Sequence, residues 1–168
     1  MDEDFPEIED PPPEPVDAFS AGPAVAVRYL LDANILSDLI RHPQGVVARR
    51  IERVGLDAVC TSIIVAAELR FGAVRKGSLR PSSLIEGLLV RIPTLPLEAP
   101  VDRVYAELRA RLAAASRPIG ANDLLIAAHA LALDLTLVTA NTRELARVDG
   151  LPLENWLDDD RLDGPPIG

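Results

Sequence analysis

The stretch LLDANILSDLI, residues 30–40, decides how the chain reads. Its two leucines close the apolar run AVAVRYLLD, a strand of about 5–6 residues. NILSDLIRH follows with apolar residues at helical spacing and is stopped by Pro43. Asp32 therefore stands where a strand hands over to a helix. In an open parallel sheet that is the rim where ligands bind, beyond the carboxyl ends of the strands.

The rest of the chain repeats the alternation. GVVARRIERV reads as a second helix, DAVCTS as a short strand, and SIIVAAELRFGAVRKG as a helix of about four turns ended by Gly77. Pro81 is expected at the first helical position of PSSLIEGLLVRI. After the extended TLPL, the segment PVDRVYAELRARLAAAS sets Val101, Val104, Tyr105, Leu108 and Leu112 on one stripe. NDLLIAAHALAL is a mostly apolar helix, DLTLVTA a buried strand, NTRELARV an amphipathic helix and LPLENW a last short strand. Strands that are apolar on both faces and alternate with helices imply an α/β fold with a parallel sheet covered on both sides.

The chain has 168 residues and a net charge of −9, a balance that disfavours a polyanionic partner until its distribution is examined. Residues 1–27 hold eight acids and no Lys or Arg, and the last eleven residues hold four acids and one Arg, which leaves 16 basic against 14 acidic residues in 28–157. The body is close to neutral, and charge admits an RNA partner. The first 27 residues, rich in proline and acid, have the composition of a disordered tail, with Phe5, Ile8 and Phe19 as possible anchors. No apolar run approaches the 18 or more residues of a membrane span and the N-terminus is acidic, so the expected location is the cytoplasm. Cys60 lies among apolar neighbours and reads as a core thiol. His42 and His129 are too few and too separated for a histidine-ligated metal, and His129 reads as a core or surface histidine. No phosphate-cradling glycine loop occurs.

Oxygen donors remain. Asn141, and Thr139 two residues before it, close the strand LTLVTA at the same rim as Asp32, and Asp123 falls in the first turn of its helix. Glu68 interrupts the otherwise apolar IIVAAEL, where an ionised carboxylate needs a partner. If Asp32, Glu68 and Asp123 converge, each pair at about 4 Å repels by roughly 4 kcal/mol at an effective dielectric near 20. Arg70 could balance them, but a hard divalent cation is the better match to oxygen ligands. Each residue also has a structural reading: Asp32 starts a turn, Asn34 and Asn122 cap helices, and Asp123 favours any helix N-terminus.

Five blocks in order, RYLLDANILSDLIR, TSIIVAAELRFGA, PIGANDLLIAAHALA, LTLVTANTREL and GLPLENW, resemble the PIN-domain ribonucleases, and within them the VapC-type toxins of bacterial toxin–antitoxin pairs. The resemblance covers residues 28–157 and implies a three-layer α/β/α sandwich with a central parallel sheet. It further implies an endoribonuclease using Mg²⁺ or Mn²⁺, 5′-phosphate and 3′-hydroxyl products, a homodimer and an antitoxin partner. By position it assigns Asp32, Glu68 and Asp123 to the metal-binding acidic cluster, Asn141 to a fourth catalytic position and Thr139 to support. Ala33 and Leu145 depart from the usual threonine and phenylalanine, and Asn141 is neutral where an acid is common, which implies one firmly bound ion. Arg70 and Arg143 are the arginines best placed by sequence to meet RNA phosphate. Chains of this kind commonly begin near Val27, so residues 1–27 are either a misassigned start, valine being what an internal GTG encodes, or an antitoxin-like segment that occupies the groove. Two other readings are a PIN-like scaffold that binds RNA or protein without cutting, and an aspartyl-phosphate phosphatase. The latter wants aspartate at the position of Asn34.

Overall fold

A computed structural model describes residues 26–158. The acidic segments expected at 1–27 and 158–168 lie outside the described residues, except Ala26, Val27 and Asp158. Five parallel strands form the sheet: β1 Tyr29–Leu31, β2 Val59–Ser62, β3 Thr94–Leu95, β4 Thr136–Val138 and β5 Leu153–Glu154. Between them run helices α1 Ala33–Arg41, α2 Val46–Val54, α3 Ile63–Lys76, α4 Leu79–Arg91, α5 Val101–Ala114, α6 Ala121–Ala132 and α7 Thr142–Leu145, with a 3-10 turn at Leu56–Ala58. Helices flank the sheet on both faces, giving the α/β/α sandwich.

The strand order is β3-β2-β1-β4-β5, with every pairing parallel. From β1 the chain builds outward to β2 and β3, then returns to lay β4 on the other side of β1. The order therefore reverses between β1 and β4, and such a reversal opens a crevice at the carboxyl ends of the strands. The strands are short and their centres apolar: Leu30, Leu31, Val59, Cys60, Leu137 and Val138 are fully buried. Ile35 and Leu36 of α1, Val65 and Leu69 of α3, Leu108 and Leu112 of α5, and Ile126 and Ala127 of α6 complete the core. The stripe read along α5 is its packing face, with Val101, Leu108 and Leu112 buried and Val104 and Tyr105 partly so.

Two local expectations are corrected. Helix α4 begins at Leu79 with Ser78 as its cap, so Pro81 is the third helical residue. The first turn has free N–H groups, and proline there costs no hydrogen bond. NTRELARV forms one turn of helix rather than two, because Arg147 and Val148 donate to Glu144 and Leu145 three residues back and the chain tightens into a turn. Cys60 is a core thiol as read, and His129 is a core group. Burial pushes the Cys60 thiol up to about 12, and the His129 Nδ1 lies 2.9 Å from the Ser62 hydroxyl.

Candidate active site

Asp32 directly follows β1 and caps α1, and only 4% of it is exposed. A bare carboxylate at that depth would be strongly disfavoured, and its hydrogen bonds oppose the effect of burial without overcoming it. Its Oδ1 accepts from the Ala33 N–H at 2.8 Å and its Oδ2 from the Thr139 hydroxyl at 2.8 Å. Thr139, fully buried at the end of β4, also accepts from the Asn141 N–H at 3.0 Å. The adjoining strand ends are further joined by Asn34, whose Oδ1 accepts from the Ala140 N–H at 3.1 Å. Asn34 is thus not the helix cap that its position suggested; Asp32 takes that place.

The network continues through Asn141. Its Nδ2 donates to Asp123 Oδ2 and to Glu144 Oε2, both at 3.1 Å, so one amide bridges two carboxylates. Glu144 in turn accepts from the Gly120 N–H at 2.8 Å and so ties α7 to the N-terminal cap of α6, three residues before Asp123. Glu144 was missed in the sequence. Its signal is the three-residue step from Asn141, the spacing at which a glutamate commonly reaches back to a helix cap.

Glu68, on the face of α3 that meets α6, has one partner: Asn122 Nδ2 donates to its Oε1 at 3.0 Å. Gly120 caps α6, so Asn122 is in the first turn rather than the cap and its side chain is free to reach Glu68. Arg70 does not balance the acids. Its guanidinium forks onto Glu86 at 2.8 and 3.0 Å on an exposed surface. Arg143 is exposed in the single turn of α7.

The electrostatics show that the acids share one field. Burial raises the pKa of Asp32 against the opposing bonds from Thr139 and Ala33. Burial also raises Glu68, with the charge of Asp32 adding to it. Asp123 is pushed up to about 6, first by burial and then by the charges of Asp32, Glu144 and Glu68. Glu144 is held below its ordinary value, chiefly by the Gly120 N–H. No cation figures among the groups that shift Asp32, Glu68 or Asp123. Hard oxygen donors with uncompensated negative charge fit a divalent cation such as Mg²⁺. Among the described residues, no three such groups are gathered closely enough to enclose an ion as they stand. The fit thus rests on donor chemistry and charge, without a preformed cage.

Residues 29–151 match the family model described as PIN domain. The chain is 35% identical over 131 residues to the tRNA(fMet)-specific endonuclease VapC of Shigella flexneri, covering 77% of this chain and 98% of that one. It is 37% identical over 130 residues to ribonuclease VapC2 of Rickettsia felis, covering 76% and 97%. In three dimensions it is similar to VapBC2 of Rickettsia felis bound to a promoter DNA fragment, with a TM-score of 0.71 and 34% identity over 77% of this chain and 99% of that one. A DNA-bound VapBC from Salmonella typhimurium also gives a TM-score of 0.71 at 30% identity. With a reversal point that carries the buried Asp32 and further acids beside it, and with relatives matched over nearly their whole length, the chain belongs to the PIN-domain family and, within it, to the VapC ribonucleases.

Proposed function

We propose that the chain is a metal-dependent endoribonuclease, the toxin of a toxin–antitoxin pair, which hydrolyses RNA phosphodiesters at the rim between β1 and β4. The observation that carries this reading is the geometry at the rim, where Asp32 is tied through Thr139 and Asn141 to Asp123, and Glu68 is joined to the first turn of the same helix as Asp123 through Asn122. Asp32 and Asp123 would hold one Mg²⁺ or Mn²⁺, with Glu68 as a third ligand or as the group that orients the attacking water. Such an ion, when bound, lowers the pKa of water and offsets charge that develops on the phosphate.

The protein's own part is positioning and proton handling. Thr139 and the Ala33 N–H fix both oxygens of Asp32, so its carboxylate enters the reaction with little freedom to lose. Asn141 holds Asp123 through one oxygen. Glu68, half-buried and with its pKa raised, is a stronger base than a free carboxylate. The relatives solved as VapBC complexes support an antitoxin partner for this chain, and the family resemblance supports a homodimer. No helix among the described residues is long and apolar enough to cross a membrane.

The test is cleavage of RNA by the purified chain, with 5′ ends mapped. Cleavage should stop with a chelator, return with Mg²⁺ or Mn²⁺, and fall by about three orders of magnitude in Asp32→Asn at unchanged fold. Undiminished cleavage by Asp32→Asn rejects this site. RNA binding without metal-restored cleavage favours the non-cutting scaffold.

A further inference from the structure

Beside the acid rim lies a groove of about 700 Å³ between α1, α3 and the start of α4. Its wall includes Glu68, the one acid among the lining residues, so the groove borders the candidate active site. Its other charged residues are Arg41 in the last turn of α1, Lys76 in the last turn of α3 and Arg80 in the first turn of α4. Three cations thus face one anion. None of the three has an ion-pair partner among the described residues, in contrast to Arg70, whose fork Glu86 occupies.

The fold brings these cations together by a tight connection. Gly77 takes the left-handed conformation at φ 62° that ends α3, and Ser78 immediately caps α4, so Lys76 and Arg80 are brought to the two sides of a tight connection. Lys76 is the sole lysine of the chain. The last-turn positions of Arg41 and Lys76 also suit the helix dipoles. That preference accounts for basic residues at helix ends, but not for the meeting of three helix termini around one groove. Ser37 and Ser78 add hydroxyls to the same wall.

Four carboxylates, Asp32, Glu68, Asp123 and Glu144, act on the neighbouring rim, and the chain as a whole carries −9. A polyanion approaching this rim is repelled unless fixed cations lie along its path. The groove supplies them on the side where Glu68 stands, and its volume suits a ligand of nucleotide scale.

We propose that this groove is a phosphate-binding track for single-stranded RNA, in which Arg41, Lys76 and Arg80 contact the backbone on one side of the phosphate held at the acids. The assignment rests on the ribonuclease reading above and names the path of its substrate. Backbone contacts of this kind position the strand and carry no base specificity.

The experiment measures binding apart from cleavage. The full chain carrying Asp32→Asn is titrated with a short fluorescein-labelled single-stranded RNA over a range of salt concentrations. The same is done after adding Arg41→Gln, Lys76→Gln and Arg80→Gln together. A control carries Arg28→Gln, Arg53→Gln and Arg103→Gln, which remove the same charge from positions outside the groove. The groove triple should weaken binding at least about tenfold and reduce the slope of log K against log salt by about 2, as expected for three lost single-strand phosphate contacts. In the chain with Asp32 intact it should raise KM with kcat little changed. The control should retain most of the affinity. Equal affinity and slope with and without the groove cations overturn the proposal, and so does an equal loss in the control, which would assign the effect to net charge. Cleavage that is unimpaired by the groove triple removes the track and leaves the nuclease reading intact. Groove-dependent RNA binding by a wild-type chain that cuts nothing has the opposite meaning.

Discussion

The two sides of the acid rim are built differently. Asp32 is buried, with both oxygens committed, and the bonds around it run through Thr139 and Asn141 to Asp123 and on to Glu144. Glu68 sits across from this chain of bonds with one donor, Asn122, on a more exposed surface. One side is fixed by strand ends that cannot move without breaking the sheet. The other depends on a contact between two helices, α3 and α6. The two sides therefore differ in how firmly their acids are held.

The comparison breaks most readily at Thr139. Thr139→Val keeps the volume but removes the donor to Asp32 and the acceptor of the Asn141 N–H. Cleavage should fall by about 10–100-fold, the usual effect of losing a group that orients a ligand. Stability should fall by about 1–3 kcal/mol, because buried polar atoms lose their partners. Denaturant unfolding and steady-state kinetics read the two effects separately, and unchanged kinetics would mean that the rigid side does not need its wiring.

A smaller effect tests the shared field. Asp123 titrates at about 6 in the folded chain against 3.8 as its ordinary value. Between those values the folded state binds more protons than the unfolded one. Stability in metal-free buffer should therefore rise as pH falls through about 6, and ionisation of Asp123 should cost stability at neutral pH. Asp123→Asn should raise stability at neutral pH by about 1 kcal/mol once solvent screening is allowed for, or about 3 °C in Tm. It should also weaken the pH dependence while abolishing cleavage. A thermal scan across pH checks this, and a lower Tm in the variant at neutral pH would contradict it. The smallest change belongs to the less firmly held side: Asn122→Ala should slow cleavage only about threefold and leave Tm unchanged, since its bond to Glu68 is exposed.

Much of this arrangement was legible in the residues. Leu30, Leu31, Leu137 and Val138 declare buried strands because a strand covered on both faces has no polar side to show. Asp32, Asn141 and Thr139 declare the rim because each follows such a run at once. Glu68 was visible as a charge without a reason. The remainder depended on partners distant in sequence. Arg70 looked available until Glu86, sixteen residues on, was seen to occupy it. Asn34 and Asn122 looked like caps until the helices were found to begin before them. Glu144 reads as an ordinary helix residue, and only the folded chain shows that it reaches Gly120, twenty-four residues earlier. Side-chain pairings of this kind leave no periodic trace.

Because all five strands run the same way, the molecule has two unlike poles. Ala26 leads into β1 at the pole opposite the acids, whereas β1 and β4 end at the pole that carries them. Substitutions around Arg28, just ahead of β1, therefore act on the chemically quiet pole and serve as controls for those made at the rim.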